Sequence, residues 1–185
     1  FQTWSNAYDY YVALILLVAF PCYLKDLKRR GVSFKLLKHE IVDKDKLGGD
    51  ILFGLLAGII SIIIGFGFMY ILSVLFPNKA AQNISDHTPA LINLIALGII
   101  APFVKEIVFR LYSKLFLEEK YGMLPAVLIS SIIFAVFDWH TEGASFFCGL
   151  IFYLFYIKRR RLIVPMIGHS AVNVIPFIVQ LLIAH

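Results

Sequence analysis

Ionisable side chains set inside apolar runs are the residues of this sequence whose types and spacing could do chemistry. One run carries Lys105, Glu106 and Arg110; the next ends at Asp138 and is followed by His140; the last carries His169 and Asn173. Near a bilayer centre an ionised side chain costs about 2.5–3.5 kcal/mol on insertion scales, so such residues face a bundle interior, find partners and mark function. Glu106 and Arg110 are four apart on one helix face, a spacing that forms an intrahelical ion pair and lowers the cost of both. His169 and Asn173 repeat that spacing. Taken singly, each pair is as readily structural as catalytic. Three such clusters on helices that must pack together point to a shared polar cavity.

The elements that must position these residues follow from composition. The 185 residues are 60% hydrophobic and 16% charged, with a mean hydropathy of +0.83, well on the apolar side of ordinary soluble domains. Lipid is therefore the expected solvent. Apolar runs near the length of about 20 residues that a crossing helix needs extend over Tyr8–Leu24, Ile51–Phe76, Pro89–Phe116, Leu124–Trp139, Ala144–Ile157 and Leu162–Ala184. The fifth is short and reaches full length only if its basic end snorkels. The expected fold is an all-α, multi-pass transmembrane bundle of about six helices, in one domain over residues 1–185.

Of seventeen Lys and Arg, eight lie between Lys25 and Lys46 and four form the run Lys158–Arg161. The positive-inside rule makes both stretches cytoplasmic and accounts for the net charge of +5 without nucleic acid. The opposite connections, Phe1–Asp9, Pro77–Thr88 and His140–Gly143, hold only Lys79. Gly31–Ile41 reads either as a basic helix on the inner membrane surface or as a plain linker. Gly54 and Gly58, four apart, are assigned to close helix packing. Cys22 and Cys148 lie in apolar runs, where a thiol acts as a small hydrophobe. Phe1 in place of Met is read as the start of a piece of a longer protein.

Helical rise allows the first two clusters to meet. Lys105 is 15 residues before Lys120 and Asp138 is 18 after it, roughly 23 and 27 Å from that turn. Lys105 and Asp138 are accordingly expected within salt-bridge reach. His169 is only eight residues past Arg161, roughly 12 Å, so its helix must enter at a different level or begin deeper. His140 lies two residues past Asp138, which on a helix turns it some 200° away; it is expected at the outer mouth as an accessory residue.

These residues resemble the CAAX-protease and bacteriocin-processing (CPBP, or Abi) family, whose members show Glu-Glu-x-x-x-Arg, then Phe-x-x-x-His, then His-x-x-x-Asn or Asp on successive helices. Here the third motif is intact as His169-Ser-Ala-Val-Asn173. The first reads Lys105-Glu106-Ile-Val-Phe-Arg110, with Lys for the first Glu. The second reads Phe134-Ala-Val-Phe-Asp138, with Asp for the His. The likeness runs over Leu91–Leu182. It implies a CAAX-protease/Abi-like core in which the first Glu and the second-motif His activate water while the third-motif His and Asn stabilise the oxyanion. The family-matching site positions are Glu106, Arg110, His169 and Asn173, and the altered ones are Lys105 and Asp138.

A charged ammonium accepts no proton and a carboxylate donates no hydrogen bond, so the two replacements do not rebuild the lost roles. They do rebuild an ion pair with its charges exchanged between helices, a device that fixes register. The leading expectation is a non-proteolytic family member in the bacterial cell membrane, a scaffold or regulator of another membrane or cell-envelope protein or of a membrane peptide. The first alternative is an active intramembrane endopeptidase using Glu106 and His169. A second is an immunity or transport protein that binds a membrane peptide. No cofactor is expected and no metal, because Glu106, His169 and His140 lack a local ligand motif and Lys105 opposes a divalent cation.

Overall fold

The computed structural model describes residues 14, 18–77, 94–138, 141 and 143–183, and every regular element among them is helical. In chain order these are α1 (18–29), α2 (Phe34–Ile41), α3 (Leu47–Leu75), α4 (94–121), α5 (Met123–Phe137), α6 (Ala144–Arg159) and α7 (Ile163–Ile183). Most of the first expected apolar run, all but the first residue of the stretch Pro77–Thr88, and His140 lie outside the described residues.

Among the described residues, α3 alone is both long and apolar enough to cross a membrane by itself. Its 29 residues span roughly 43 Å at helical rise. Met123–Phe137 and Ile163–Val179 are shorter apolar helices. The difference from six full-length runs has a physical source: α4 carries Lys105, Glu106, Arg110 and Lys114 in its middle, and α6 ends in its basic run. Outward faces are nonetheless apolar, with Leu52, Ile63 and Phe66 on α3 and Leu124, Ile132 and Val136 on α5 all exposed. Apolar surface of that extent marks contact with lipid or a partner.

Helix α7 packs against α3, α4 and α6 at once, while α4, α5 and α6 pack in sequence. This central place of α7 depends on missing side chains. A Cβ on Gly54 would lie 2.7 Å from Ile167 Cβ, and one on Gly58 would lie 2.7 Å from Ala171 Cβ and 2.9 Å from the Gly168 carbonyl oxygen. The expected packing role of Gly54 and Gly58 is thus the α3–α7 crossing. Gly58→Val is expected to cost about 1–3 kcal/mol, because a backbone carbonyl cannot step aside. Gly65→Ala, where a Cβ meets nothing within 4 Å, is expected to be near neutral. Unfolding titrations in mixed micelles compare the two.

The α4–α5 turn is a single glycine, Gly122 at φ +83, a conformation open to residues without a Cβ. The α6–α7 turn runs through Arg160 at φ 52 and is buried beneath α2. Leu162 N–H donates to the Glu40 carbonyl at 2.7 Å, and Leu37 joins Tyr153, Tyr156, Leu162 and Met166 in the apolar core. Glu40 also accepts from Lys114 Nζ at 2.7 Å and Tyr156 Oη at 3.2 Å.

This strap accounts for the depth at which α7 begins. Glu40 touches Lys114, eight residues beyond Glu106, and Leu162, seven before His169, so both site residues lie roughly 11–12 Å from one common level. The basic run is also not a free anchor. Arg159 pairs with Asp50 at 2.7 Å, Arg160 with Glu118 at 3.3 Å and Arg161 with Asp43 at 2.8 Å.

The Arg161 hydrogen bond holds the Asp43 carboxyl below its ordinary value of 3.8. A carboxyl depressed in the folded state stabilises it above the unfolded pKa, and that contribution disappears as pH falls through the folded pKa. Thermal melts at stepped pH should show Asp43→Asn less stable than wild type at neutral pH, with the gap closing below about pH 4.

Candidate active site

Helix α4 presents Glu106 and Arg110 inward, both with fully buried side chains. It does so along a widened helix, with π-helical turns at Ala96–Ile100, Ile107–Leu111 and Ser113–Glu118 around an α-helical stretch at Ala101–Glu106. π-turns leave backbone groups poorly paired and recur at functional sites. Here Tyr23 Oη on α1 donates to the Ile107 carbonyl at 3.1 Å, one residue past Glu106.

Three helices converge on the Glu106–Arg110 pair. Arg110 Nε donates to Oε2 at 2.8 Å, and His169 Nδ1 on α7 lies 2.9 Å from Oε1. Arg110 Nη1 donates to Ser130 Oγ on α5 at 3.0 Å, and Ser130 Oγ donates to the Phe109 carbonyl at 3.2 Å. The buried charge is thus neutralised and largely hydrogen-bonded, the condition for burying it at all, with Arg110 Nη2 left without a partner among the described residues.

Lys105 Nζ pairs with Asp138 Oδ1 between α4 and α5. Their side chains are 9% and 10% exposed, against 0% for Glu106 and Arg110, so this pair is the less deeply buried of the two. The Asp138 carbonyl accepts from Thr141 Oγ1 at 2.8 Å, which ties the end of α5 to the start of α6.

Phe134 joins the two pairs into one site. Its ring centre is 5.9 Å from Lys105 Nζ, 5.0 Å from Arg110 Cζ and 5.3 Å from the His169 ring. Cations over an aromatic face gain about 0.5–2 kcal/mol. Phe152 stacks on His169, with ring centres 5.5 Å apart and planes 22° from parallel, and meets Phe134 edge-on at 6.5 Å.

The structure therefore brings together Lys105, Glu106, Arg110, Asp138 and His169. Asn173, one turn further along α7, is exposed. His140 lies outside the described residues. Among the described residues no three His, Cys, Asp or Glu side chains are grouped to hold a metal ion. Sequence reasoning missed Ser130, Phe152 and Tyr23. Ser130 carried a signal: with Phe134 and Asp138 it repeats every four residues along one face of α5. Phe152 and Tyr23 carried none beyond being aromatic.

An all-helical bundle in which a buried carboxylate and guanidinium on α4 meet an imidazole from α7 fits the family resemblance read from the sequence. Two sequence comparisons agree. Residues 87–175 match the family described as Type II CAAX prenyl endopeptidase Rce1-like. The Bacillus subtilis (strain 168) protein described as "Putative membrane peptidase YdiL" is 28% identical over 145 residues, which cover 75% of this chain and 59% of that protein. The chain thus spans about three fifths of that relative's length. No solved structure matches. Residues 87–175 are Rce1-like, of the CAAX prenyl protease (CPBP) family, and the matched stretch holds Lys105, Glu106, Arg110, Asp138, His169 and Asn173. This family and the apolar α3 make the membrane its place.

Proposed function

We propose that this chain is a multi-pass protein of the bacterial cell membrane that holds a membrane peptide or a membrane or cell-envelope partner at its polar site without cutting it. The basic stretches 25–46 and 158–161 face the cytoplasm in this reading. The observation that carries it is the Lys105–Asp138 ion pair, which stands where the family's water-activating pair belongs. A paired ammonium accepts no proton from water, and its carboxylate partner donates none to a leaving group. What remains is a rigid, charge-balanced pocket wall suited to binding.

A second reading, an active endopeptidase, is favoured by one contact. The Glu106 carboxylate 2.9 Å from His169 Nδ1 can accept an N–H there and orient the imidazole, the arrangement of an oriented general base. Arg110 on the other carboxylate oxygen and the stacked Phe152 fit a structural role equally well.

The test uses the chain reconstituted in lipid nanodiscs with single-span peptides, prenylated and unmodified, as probes. Peptide recovered with wild type at its intact mass, and retained at least tenfold less by His169→Ala, is the expected result. Equal retention by both proteins counts against binding at this site, and shortened peptide supports the second reading.

A further inference from the structure

The basic residues divide into two populations that composition alone does not separate. Those of the α6–α7 turn are taken up inside the protein, Arg159 by Asp50, Arg160 by Glu118 and Arg161 by Asp43. Those of the α1–α2 hairpin face outward. On α1, Lys25, Lys28 and Arg29 are exposed while Leu27 is buried; on α2, Lys35, Lys38 and His39 are exposed while Leu37 is buried. On α1 the cations lie three and four residues apart and on α2 Lys35 and Lys38 lie three apart, the spacing of one face. Among the described residues none of Lys25, Lys28, Arg29, Lys35 and Lys38 forms an ion pair, whereas Arg30 pairs with Asp26 at 2.8 Å.

We propose that the α1–α2 hairpin is a docking surface for anionic phospholipid headgroups. Charge complementarity favours this occupant, since five unpaired cations face outward from two helices whose inner faces are fixed to the bundle. So does position: the hairpin packs, through Leu27 and Leu37, on the core that α4, α5, α6 and α7 share, and it leads through the short turn Lys44–Lys46 into α3, whose outward face is apolar. A bilayer meets both surfaces together, whereas a soluble acidic partner meets only the first. The hairpin also carries Glu40, which holds Lys114 on α4 and the Leu162 amide at the start of α7. Lipid bound to its outer face therefore braces the strap that sets the level of Glu106 and His169. This inference does not depend on whether the site binds or cuts.

Native mass spectrometry of the chain in neutral detergent, with phosphatidylglycerol and phosphatidylcholine added in equal amounts, reads the preference directly. Wild type is expected to retain phosphatidylglycerol well above phosphatidylcholine, with the difference shrinking as salt is raised. Each removed cation should lower the preference by about fivefold, the ratio that follows from about 1 kcal/mol per basic residue near an anionic surface. The exposed variants Lys25→Gln/Lys28→Gln and Lys35→Gln/Lys38→Gln are each expected to lose most of it while melting near wild type in phosphatidylcholine. Lys120→Gln, outside the hairpin, should keep it. Equal retention of the two lipids by wild type overturns the proposal, as does a preference that survives both pairs of substitutions. Binding of polyglutamate without selectivity for phosphatidylglycerol overturns it in favour of an acidic protein partner.

Discussion

Lys105→Ala is expected to destabilise the folded chain by about 3–5 kcal/mol, and Asp138→Ala by a similar amount, because each leaves a buried charge without its partner. Both side chains are at least nine-tenths buried, and among the described residues each is the other's ion-pair partner across α4 and α5. Neutralising both positions at once, as Lys105→Met with Asp138→Leu, should recover most of the loss, since an apolar pair of similar volume has no desolvation to offset. Unfolding titrations of the four proteins in mixed micelles give the cycle. Single variants as stable as wild type would show that the charges are hydrated and that the pair does not hold the helices in register.

Arg110→Met is expected to cost about 3–5 kcal/mol for the same reason, with Glu106 the stranded charge. Glu106 has its two oxygens divided between Arg110 and His169, so Glu106→Ala should be as severe, stranding a guanidinium that keeps the Ser130 hydrogen bond and neighbouring aromatic rings but no anion. Ser130→Ala removes one hydrogen bond to a charged donor and should cost about 1.5–3 kcal/mol. The order Arg110→Met above Ser130→Ala, read in the same titrations, distinguishes a connected network from scattered polar residues. A Ser130→Ala effect equal to that of Arg110→Met would place the main support of the site elsewhere.

Much of this site was legible because membrane interiors make charge conspicuous. Lys105, Glu106, Arg110, Asp138 and His169 stood out from the apolar runs around them, and helical rise along the α4–α5 hairpin sufficed to bring Lys105 to Asp138. The element order was legible for a related reason, since Gly122, Gly143 and the basic run Lys158–Arg161 separate the last four helices. The level of His169 was not, because it depends on a contact across a long stretch of sequence, Glu40 to Leu162. No local pattern marks a glutamate in a basic segment as the strap over a buried turn. Nor does spacing reveal which cations are internally paired. Lys158–Arg161 looks like the strongest anchor in the sequence, and three of its four residues are held by acids from three different segments. The aromatic wall of Phe134 and Phe152 around His169 was half visible, Phe134 through its motif and Phe152 only in three dimensions.

The most direct measurement is mass spectrometry of single-span membrane peptides incubated in proteoliposomes with wild type, Glu106→Ala and His169→Ala. If the Lys105–Asp138 pair has replaced water activation, all three spectra should match that of empty vesicles, with every peptide intact. Cleavage products formed by wild type and absent with both variants would contradict a site that binds without cutting.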